Sequence, residues 1–416
     1  MTPPTAVNRA KILAPAGSFE SLAAAINAGA DAIYFGCGGL NMRAKSGNFS
    51  IDDLPVIVST CKKAHILCYM TLNALMYDED LEQLRQLCKI AREVGVDAVI
   101  CSDIAAIQIA REFGLRIHIS TQQNISNIEA VRFFSQFADT IVLARELTLA
   151  QIKSIHTRII EDHICGPSGQ LLEIEAFVHG ALCVAVSGKC GMSLATYNSS
   201  ANRGACVQVC RRSYTVTDTE TGSQLDIDGK YVMSPRDLCT LPMLSDLIKS
   251  GVTLLKIEGR ARGPDYVSTV VRAYKEAVSR ISHSTYTDAV KTQLLSQVRT
   301  VYNRDFWMNG YYLGKSTGEW CTVAGSCATQ FRTIIGKVEN YYTQSSVALI
   351  TLETRNLSQG CTLAFSGPTT GYLLVENVQL QIDGSVPSTV LQGSSVTVVV
   401  PSRVRKNDKV FLIEKR

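Results

Sequence analysis

The sequence lacks long hydrophobic runs and a recognisable export signal. No stretch approaches the roughly 18 uninterrupted apolar residues of a spanning helix, and Asp103 interrupts the best candidate, residues 97–110. Residues 1–10 are polar and contain prolines, with none of the apolar core of a signal peptide. These absences predict a cytoplasmic protein without membrane contact.

Several common site motifs are also missing. No GxGxxG opens a helix after the first predicted strand, which argues against a dinucleotide-binding fold. No HExxH is present, so a helix-borne zinc protease site is excluded. The formal net charge of +4 is too small to argue for or against nucleic acid, for which a local basic patch matters more.

What the sequence does contain is a repeated pattern of a short apolar run followed by a helical pattern. This pattern is typical of parallel strands that helices cover on both faces. Eight such units, with a span close to the roughly 250 residues typical of the fold, predict an α/β protein of the (β/α)₈ TIM-like barrel class; a doubly wound open sheet is the rival. The predicted strands are residues 11–14, 32–35, 66–72, 98–101, 116–120, 140–143, 174–178 and 254–257.

The remaining chain predicts an insertion and a second domain. Residues 182–244 separate the seventh and eighth units, and turn residues within 214–233 predict a hairpin there. From about Cys321, short β-branched segments alternate with Gly, Ser and Asn, which predicts a small antiparallel β-barrel. We therefore expect a catalytic barrel domain over residues 1–320 and a β-barrel domain over residues 321–416.

Polar residues follow the predicted strands at one end, where barrel enzymes place their sites. Along the seventh strand Glu175, Phe177 and His179 alternate with apolar residues, and His179 directly precedes a cysteine-containing loop. Histidine titrates near neutral pH and can transfer protons. Glu258 and Arg260 follow the eighth strand, although they could simply pair with each other. The other strand-end candidates are Asn73, Gln122 and Arg145, of which Arg145 could equally belong to a surface ion pair with Glu146.

Five of the fourteen cysteines form a series in the insertion. Their positions are Cys183, Cys190, Cys206, Cys210 and Cys239. Clustered thiolates suit zinc or an iron–sulfur cluster, and the absence of paired CxxC elements disfavours a zinc knuckle. Four cysteines on irregular loops fit a four-iron cluster better. Three alternatives stay open: a zinc site, ordinary structural cysteines, and a thiol nucleophile formed by Cys183 with His179.

Several segments resemble peptidase family U32, the collagenase-like family. They are EAFVHGALCVAVSGKCGMS, LAPAGSFESLAAAINAGADAIYFG, LNMRAKSGNFS, STQQN, LARELTL, ANRGACVQVCRRSY, SPRDLC and KIEGRARGPDYV. The resemblance extends over essentially residues 10–320. The family name implies proteolysis. The branch that this chain resembles most implies instead 5-hydroxylation of wobble uridine in tRNA with a 4Fe–4S cluster.

The resemblance also implies particular residues and partners. It implies Cys183, Cys190, Cys206 and Cys239 as cluster ligands, with Cys210 as a spare or as a replacement for Cys206. From their positions in the sequence, and not from the resemblance, we expect His179, Glu175, Glu258 and Arg260 to shape the site, with Arg145, Asn73, Gln122, Arg203 and Arg211 as substrate-binding residues. Arg145 and Arg260 are a candidate clamp for prephenate as co-substrate, because guanidinium groups bind carboxylates bidentately.

The expected partners are the anticodon region of tRNA and an iron–sulfur delivery system. Aromatic side chains could stack an unpaired base or simply pack in the core: Tyr214, Phe306, Trp307, Tyr311 and Tyr312. A peptidase and a non-enzymatic RNA- or protein-binding accessory with a structural metal site are the two alternative functions.

Overall fold

The computed structural model describes residues 10–45, 47–225, 231, 233–308, 310–314 and 319–416. Its helices are α1 (Phe19–Asn27), α2 (Leu54–Lys63), α3 (Leu81–Val94), α4 (Ile104–Glu112), α5 (Ile128–Ser135), α6 (Leu149–Glu161), α7 (Met192–Tyr197), α8 (Leu244–Lys249), α9 (Pro264–Ser282) and α10 (Asp288–Arg299). Its strands up to residue 307 are β1 (Lys11–Ala16), β2 (Ala32–Gly36), β3 (Leu67–Leu72), β4 (Ala98–Cys101), β5 (Ile117–Ile119), β6 (Thr140–Val142), β7 (Glu173–Gly180), β8 (Val216–Thr217), β9 (Gln224–Leu225), β10 (Asp237–Cys239), β11 (Leu254–Ile257) and β12 (Phe306–Trp307).

Strands β1 to β7 and β11 form a closed parallel barrel. Each strand from β1 to β6 pairs in parallel with the next, and β11 pairs in parallel with both β7 and β1, which closes the cylinder. The predicted (β/α)₈ fold is therefore confirmed, and the predicted strands match the observed ones to within two residues at nearly every end.

The strands are apolar on both faces because each face is covered. Leu13, Tyr34, Tyr69, Ile100 and Leu254 pack together in one buried cluster. The alternate residues of the same strands join the much larger core that includes the helices. Helix starts and stops are encoded locally: the side chain of Ser18 caps α1, and left-handed Gly95 ends α3 at a φ of 81°.

The insertion after β7 lies next to the barrel's carboxyl end. It contains α7 and the antiparallel pair β8–β9, which confirms the hairpin; residues 226–230 and 232 of that predicted segment lie outside the described residues. Strand β10 returns antiparallel to β7 and places Cys239 opposite His179. The insertion is thus joined to the strand from which it departs.

The C-terminal region is an antiparallel sheet with its own core. Its strands are β13 (Gln330–Tyr342), β14 (Val347–Leu352), β15 (Leu357–Ser358), β16 (Thr362–Gly367), β17 (Gly371–Val375), β18 (Leu380–Gln381), β19 (Thr389–Val390), β20 (Ser395–Val399) and β21 (Lys409–Lys415). Seven of them follow the order β17-β16-β21-β13-β14-β20-β18. A separate buried cluster, which runs from Ile335 to Val410, supports the sheet. An ion pair of 3.0 Å between Arg332 and Asp265 links it to the start of α9.

In the part of the chain that the structure describes, no helix is both long and apolar enough to cross a bilayer.

Candidate functional site

A cavity of about 370 Å³ opens at the carboxyl ends of the barrel strands, between the barrel and the insertion. Residues from β2, β3, β7 and β11, from strand-end loops and from the insertion line it. The structure brings into this lining Asn73, Gln122, Arg145, Arg211, Glu258, Arg260, Cys183, Cys190 and Cys206. Four predicted site residues are absent from it: Glu175, His179, Arg203 and Cys239.

Glu258 is held by a half-buried arginine. Its Oε1 accepts a hydrogen bond of 2.8 Å from Nη2 of Arg43, and its Oε2 lies 3.3 Å from the Tyr34 hydroxyl. Burial by itself raises the pKa of Glu258, but neighbouring guanidinium groups, Arg43 foremost, outweigh burial and lower the pKa to about 2. Glu258 is therefore ionised throughout the neutral range, where it serves as an acceptor and not as a general acid.

Arg260 does not bond to Glu258 as the sequence suggested it could. Its Nη1 donates to Thr71 Oγ1 at 2.8 Å and to Asn41 Oδ1 at 3.1 Å, both uncharged acceptors. Burial lowers the pKa of Arg260 to about 10, which still leaves the side chain cationic at neutral pH. The arrangement needs glycine at position 36, where an added Cβ would lie 2.6 Å from Arg260 Nη1.

Arg145 has unused hydrogen-bonding capacity. Its Nη1 donates to the Ala181 carbonyl at 3.2 Å, and its guanidinium carbon lies 4.0 Å from the centre of the Phe177 ring. Its Nε atom is buried and has no hydrogen-bond partner among the described residues. Buried donors are normally satisfied, so Arg145 is a candidate to receive a ligand. Arg304 also has a buried Nη1 without a hydrogen-bond partner among the described residues, but that atom lies 3.5 Å from Asp237.

Amides and a hydroxyl form an uncharged part of the lining. Asn73 Nδ2 lies 3.5 Å from both Ser120 Oγ and Gln122 Oε1, and Ser120 also donates to Gln122. Asn124 donates to the Ser187 carbonyl at 3.0 Å, which ties this loop to the insertion. These groups can recognise a polar ligand without adding charge.

Four insertion cysteines share the cavity, and the fourth is Cys210. Cys183 is exposed, while Cys190, Cys206 and Cys210 are half-buried. Burial raises the pKa of the Cys210 thiol, and Cys183, Cys206 and Cys190 raise it further. Cys183, Cys190 and Cys206 therefore lie close enough to Cys210 to influence it electrostatically.

Cys239 lies apart from these four, in the wall formed by β10. Its Sγ is 3.9 Å from the Tyr274 hydroxyl, and burial raises its pKa to about 11. That environment is typical of an inert structural cysteine. The placement favours Cys210 over Cys239 as a metal ligand.

A metal group can bind in the cavity only if the donor atoms suit it and lie close enough together. Cysteine sulfur is the ligand that iron–sulfur clusters use, so the donor set of the cavity suits one. Within the described ranges, no three His, Cys, Asp or Glu side chains already stand in positions that could hold a metal ion. Cluster binding would have to draw the thiols together.

His179 lies in a buried aromatic cage next to Cys239. The rings of Tyr266, Tyr274 and Phe306 surround it at centroid distances of 5.9, 5.5 and 5.3 Å. Its Nδ1 is 3.4 Å from the Tyr274 hydroxyl. Burial lowers the pKa of His179 to about 3, so the ring is neutral at physiological pH.

The buried histidine should make stability depend on pH. The unfolded chain protonates His179 near pH 6.5 and the folded chain only near pH 3, so stability is complete above pH 6.5 and falls as the pH drops toward 3. We expect His179 to remove about 2 kcal/mol of unfolding free energy between pH 7 and pH 5. Urea unfolding at both pH values should show this loss in the wild type and a much smaller one in His179→Phe. Equal losses in the two proteins would show that His179 is not buried in its neutral form.

A buried charge network lies beneath the cavity. Glu175 Oε1 is 2.5 Å from Lys256 Nζ, and Oε2 is 3.2 Å from His118 Nδ1. Burial alone raises the pKa of Glu175, but Lys256 and His118 outweigh it and lower the pKa below its usual value. Of these three residues, Lys256 lines the cavity and Glu175 does not, so Glu175 is in contact with the cavity wall only through Lys256.

Removing one charge of this network should destabilise the fold. Glu175→Gln leaves Lys256 buried without a carboxylate, which costs about 3 kcal/mol or more. Adding Lys256→Met removes the orphaned charge and should recover most of that loss. Urea unfolding of the single and double variants measures both effects; a double variant as unstable as Glu175→Gln would contradict the pairing.

The two predicted substrate-binding arginines of the insertion have structural partners. Arg203 binds Asp80 at 2.6 Å and lies with its guanidinium carbon 3.9 Å from the centre of the Tyr77 ring, outside the cavity lining. Arg211 does line the cavity, but its Nη1 donates to the Pro235 carbonyl at 2.7 Å. Both side chains hold the insertion in place.

Most of the candidate stacking aromatics are core residues. Phe306, Trp307 and Tyr312 are buried, and Tyr311 packs edge-on against Trp307 at 4.9 Å. The Tyr214 hydroxyl donates to the Val209 carbonyl at 2.7 Å. The packing interpretation holds for the three buried rings, which are not free to stack on a base.

The cavity is strongly cationic. Its acidic lining residue within the described chain is Glu258. Seven lining side chains are basic: Arg43, Arg145, Arg211, Lys256, Arg260, Arg262 and Arg304. Such an excess in a partly enclosed site attracts an anionic ligand.

Sequence reasoning missed Lys256 and Tyr34. Both lie within strands and line the cavity, and Lys256 Nζ is 4.7 Å from the centre of the Tyr34 ring. The usable signal was Lys256 itself, a charged residue in the otherwise apolar run LLKI. In a barrel strand such a residue must find a partner inside.

Comparisons with known proteins agree on one family. The sequence model of peptidase family U32 matches residues 17–322. A collagenase of Porphyromonas gingivalis is 46% identical over 99% of both chains. The tRNA hydroxylation protein P1 of Bacillus subtilis is 30% identical over 86% of this chain and 83% of its own. The 23S rRNA 5-hydroxycytidine C2501 synthase of Escherichia coli is 35% identical over 66% of this chain and 40% of its own.

Proposed function

The chain belongs to peptidase family U32, and from that premise we propose that it is an iron–sulfur enzyme that 5-hydroxylates the wobble uridine of tRNA. The observation that carries the proposal is one cavity that combines four cysteines with seven basic side chains at the mouth of a barrel. Thiols suit a metal group and basic residues suit a phosphodiester substrate. Relatives named for hydroxylation of tRNA and of rRNA support the reaction class.

The cysteines that would hold a 4Fe–4S cluster are Cys183, Cys190, Cys206 and Cys210, which share the cavity. When bound, such a cluster supplies electron transfer at the cavity wall. Ser193 Oγ lies 3.9 Å from Cys206 Sγ and could orient that thiol. Loading by an iron–sulfur delivery system belongs to the same proposal.

The chain's other residues bind and orient the substrate. Arg43 and Arg260 place positive charge around Glu258, which stays ionised and can accept a hydrogen bond from a base or ribose. Asn73 and Gln122 offer amide groups that can recognise a base edge. The anticodon loop suits this site because its bases can be unstacked and inserted.

Prephenate is the proposed co-substrate. It carries two carboxylates, and guanidinium groups bind carboxylates bidentately. Arg145 has a free Nε donor, and Arg260 is engaged only with uncharged acceptors. These two arginines would form the clamp.

A peptidase is the second candidate, favoured by the 46% identity to a protein named collagenase. The structure does not support a cysteine nucleophile activated by His179. Cys183 is exposed, whereas His179 is caged by aromatic rings and bonded to Tyr274. Hydrolysis of collagen peptides that survives Cys183→Ser and Cys190→Ser would favour the peptidase.

Mass spectrometry of tRNA nucleosides tests the proposal. A strain from which this gene is deleted should lack 5-hydroxyuridine derivatives, and a plasmid copy should restore them. Unchanged levels in the deletion strain would refute the proposed reaction. An iron-free protein that binds tRNA would favour instead an accessory without catalytic function.

A further inference from the structure

A second cavity of about 320 Å³ lies beside the first, between the barrel and the C-terminal sheet. The loop after β11 forms one wall, the end of α10 another, and strands β13, β17 and β21 the third. Ala261, Arg262 and Tyr302 line both cavities. We call this second cavity the interdomain groove.

The groove has the composition of a single-strand binding surface. Its basic residues are Arg262, Arg332 and Arg416, and its acidic side chain within the described chain is that of Asp265, already paired with Arg332. Its rings include Tyr302 and Phe331. Proteins that bind single strands combine positive charge for phosphates with aromatic rings for bases.

The shared wall offers a continuous path out of the main cavity. The Arg262 guanidinium carbon lies 3.5 Å from the centre of the Tyr302 ring, so this cation packs against the ring at the junction. Phe331, at the start of β13, is 41% exposed although it is a large apolar ring. An exposed ring beside arginines at the exit of a cationic site points to a ligand that continues beyond that site.

We infer that the interdomain groove binds the RNA strand next to the modified nucleotide, with Arg262 and Arg416 at its phosphates and Phe331 stacked on a base. The inference rests on the proposed function, because it assumes an RNA in the main cavity. It assigns to the C-terminal sheet a direct part in substrate binding.

The test measures binding of a fluorescein-labelled tRNA transcript with wobble uridine to the full chain by fluorescence anisotropy. Phe331→Ala should weaken binding about tenfold, the effect of losing one stacked base. The matched control is Tyr342→Ala, which removes a ring that is 46% exposed at the other end of the same strand and outside the groove. It should change the affinity less than about twofold.

A salt titration adds an independent measurement. The affinity falls as salt is added. Arg416→Ala should make this fall less steep, by about one unit in the slope of log affinity against log salt, because one phosphate contact is lost. Arg403→Ala removes an exposed arginine outside the groove and should leave the slope unchanged.

The outcomes separate the two proposals. If the wild type binds no tRNA, the proposed function fails and the groove proposal fails with it. If the wild type binds tRNA and Phe331→Ala equals Tyr342→Ala, only the groove proposal is overturned. Loss of collagen-peptide binding in Phe331→Ala with tRNA binding intact would also overturn it.

Discussion

Cys210→Ser should remove most of the iron from the anaerobically purified protein, whereas Cys239→Ser should retain it. Cys210 shares the cavity with Cys183, Cys190 and Cys206, and those three thiols act on its pKa. Cys239 contacts Tyr274 in the barrel wall instead. Loss of one of four thiolate ligands is expected to destabilise a four-iron cluster severely.

The two variants are matched, because each replaces one insertion thiol by serine. Iron content and the visible absorption of the purified proteins give the readout, and thermal unfolding shows whether each variant is folded. Iron retained in Cys210→Ser and lost in Cys239→Ser would restore the ligand set that the family resemblance implied. Iron retained in both would contradict any cluster that depends on either residue.

Arg145→Gln should reduce tRNA hydroxylation by at least about tenfold, with a stability loss of only about 1 kcal/mol from its hydrogen bond to Ala181 and its contact with Phe177. The side chain has a buried Nε without a partner and no carboxylate neighbour within hydrogen-bond distance among the described residues. Its removal therefore breaks no ion pair of the fold but deletes a charged hydrogen bond to the ligand, worth about 1.5–3 kcal/mol. Quantifying 5-hydroxyuridine derivatives in a complemented deletion strain measures the effect.

Arg116→Gln is the matched control, because it makes the same change at a largely exposed side chain near Asp139, outside the cavity. It should leave hydroxylation at the wild-type level. Thermal unfolding of Arg145→Gln separates the two possible roles of the residue. A strong loss of stability together with activity would mean that Arg145 supports the fold and does not bind the ligand.

The barrel was predictable because its signals are local. Residues 98–101 form an apolar run between a helix ended by Gly95 and a helix capped by Asp103, and the structure has a strand there. Strand length, caps and turn glycines all act over a few residues. Eight such units in order leave few folds to choose from.

The pairing inside the site was not predictable, because it depends on contacts far apart in sequence. Arg43 and Glu258 are 215 positions apart, and no local pattern indicates that they bond to each other instead of Glu258 to Arg260. Glu258 bonds to Arg43 because the closure of the barrel brings the loop after β2 against the end of β11.

The position of His179 shows a limit of strand periodicity. Glu175, Phe177 and His179 share one parity, which predicts one face of the strand for all three. Strand β7 has a register shift against β11, where Lys256 pairs with Phe177 and Ile257 with His179. A bulge of this kind redirects a side chain, and His179 lies among Tyr266, Tyr274 and Phe306.

Cysteine spacing had the same limitation. The interval between Cys206 and Cys239 gives no information on which side of β10 the second thiol lies. The antiparallel pairing of β10 with β7 sets Cys239 opposite His179 and leaves Cys210 with the other three thiols. The iron content of the two serine variants decides between these candidates.

We propose above all that the protein hydroxylates tRNA in the cavity at the mouth of the barrel. The most direct test of this claim is the nucleoside composition of tRNA from the deletion strain complemented either by the wild type or by a Cys206→Ser, Cys210→Ser double variant of equal abundance. We predict that the wild type restores 5-hydroxyuridine derivatives and that the double variant does not. Full restoration by the double variant would contradict the claim.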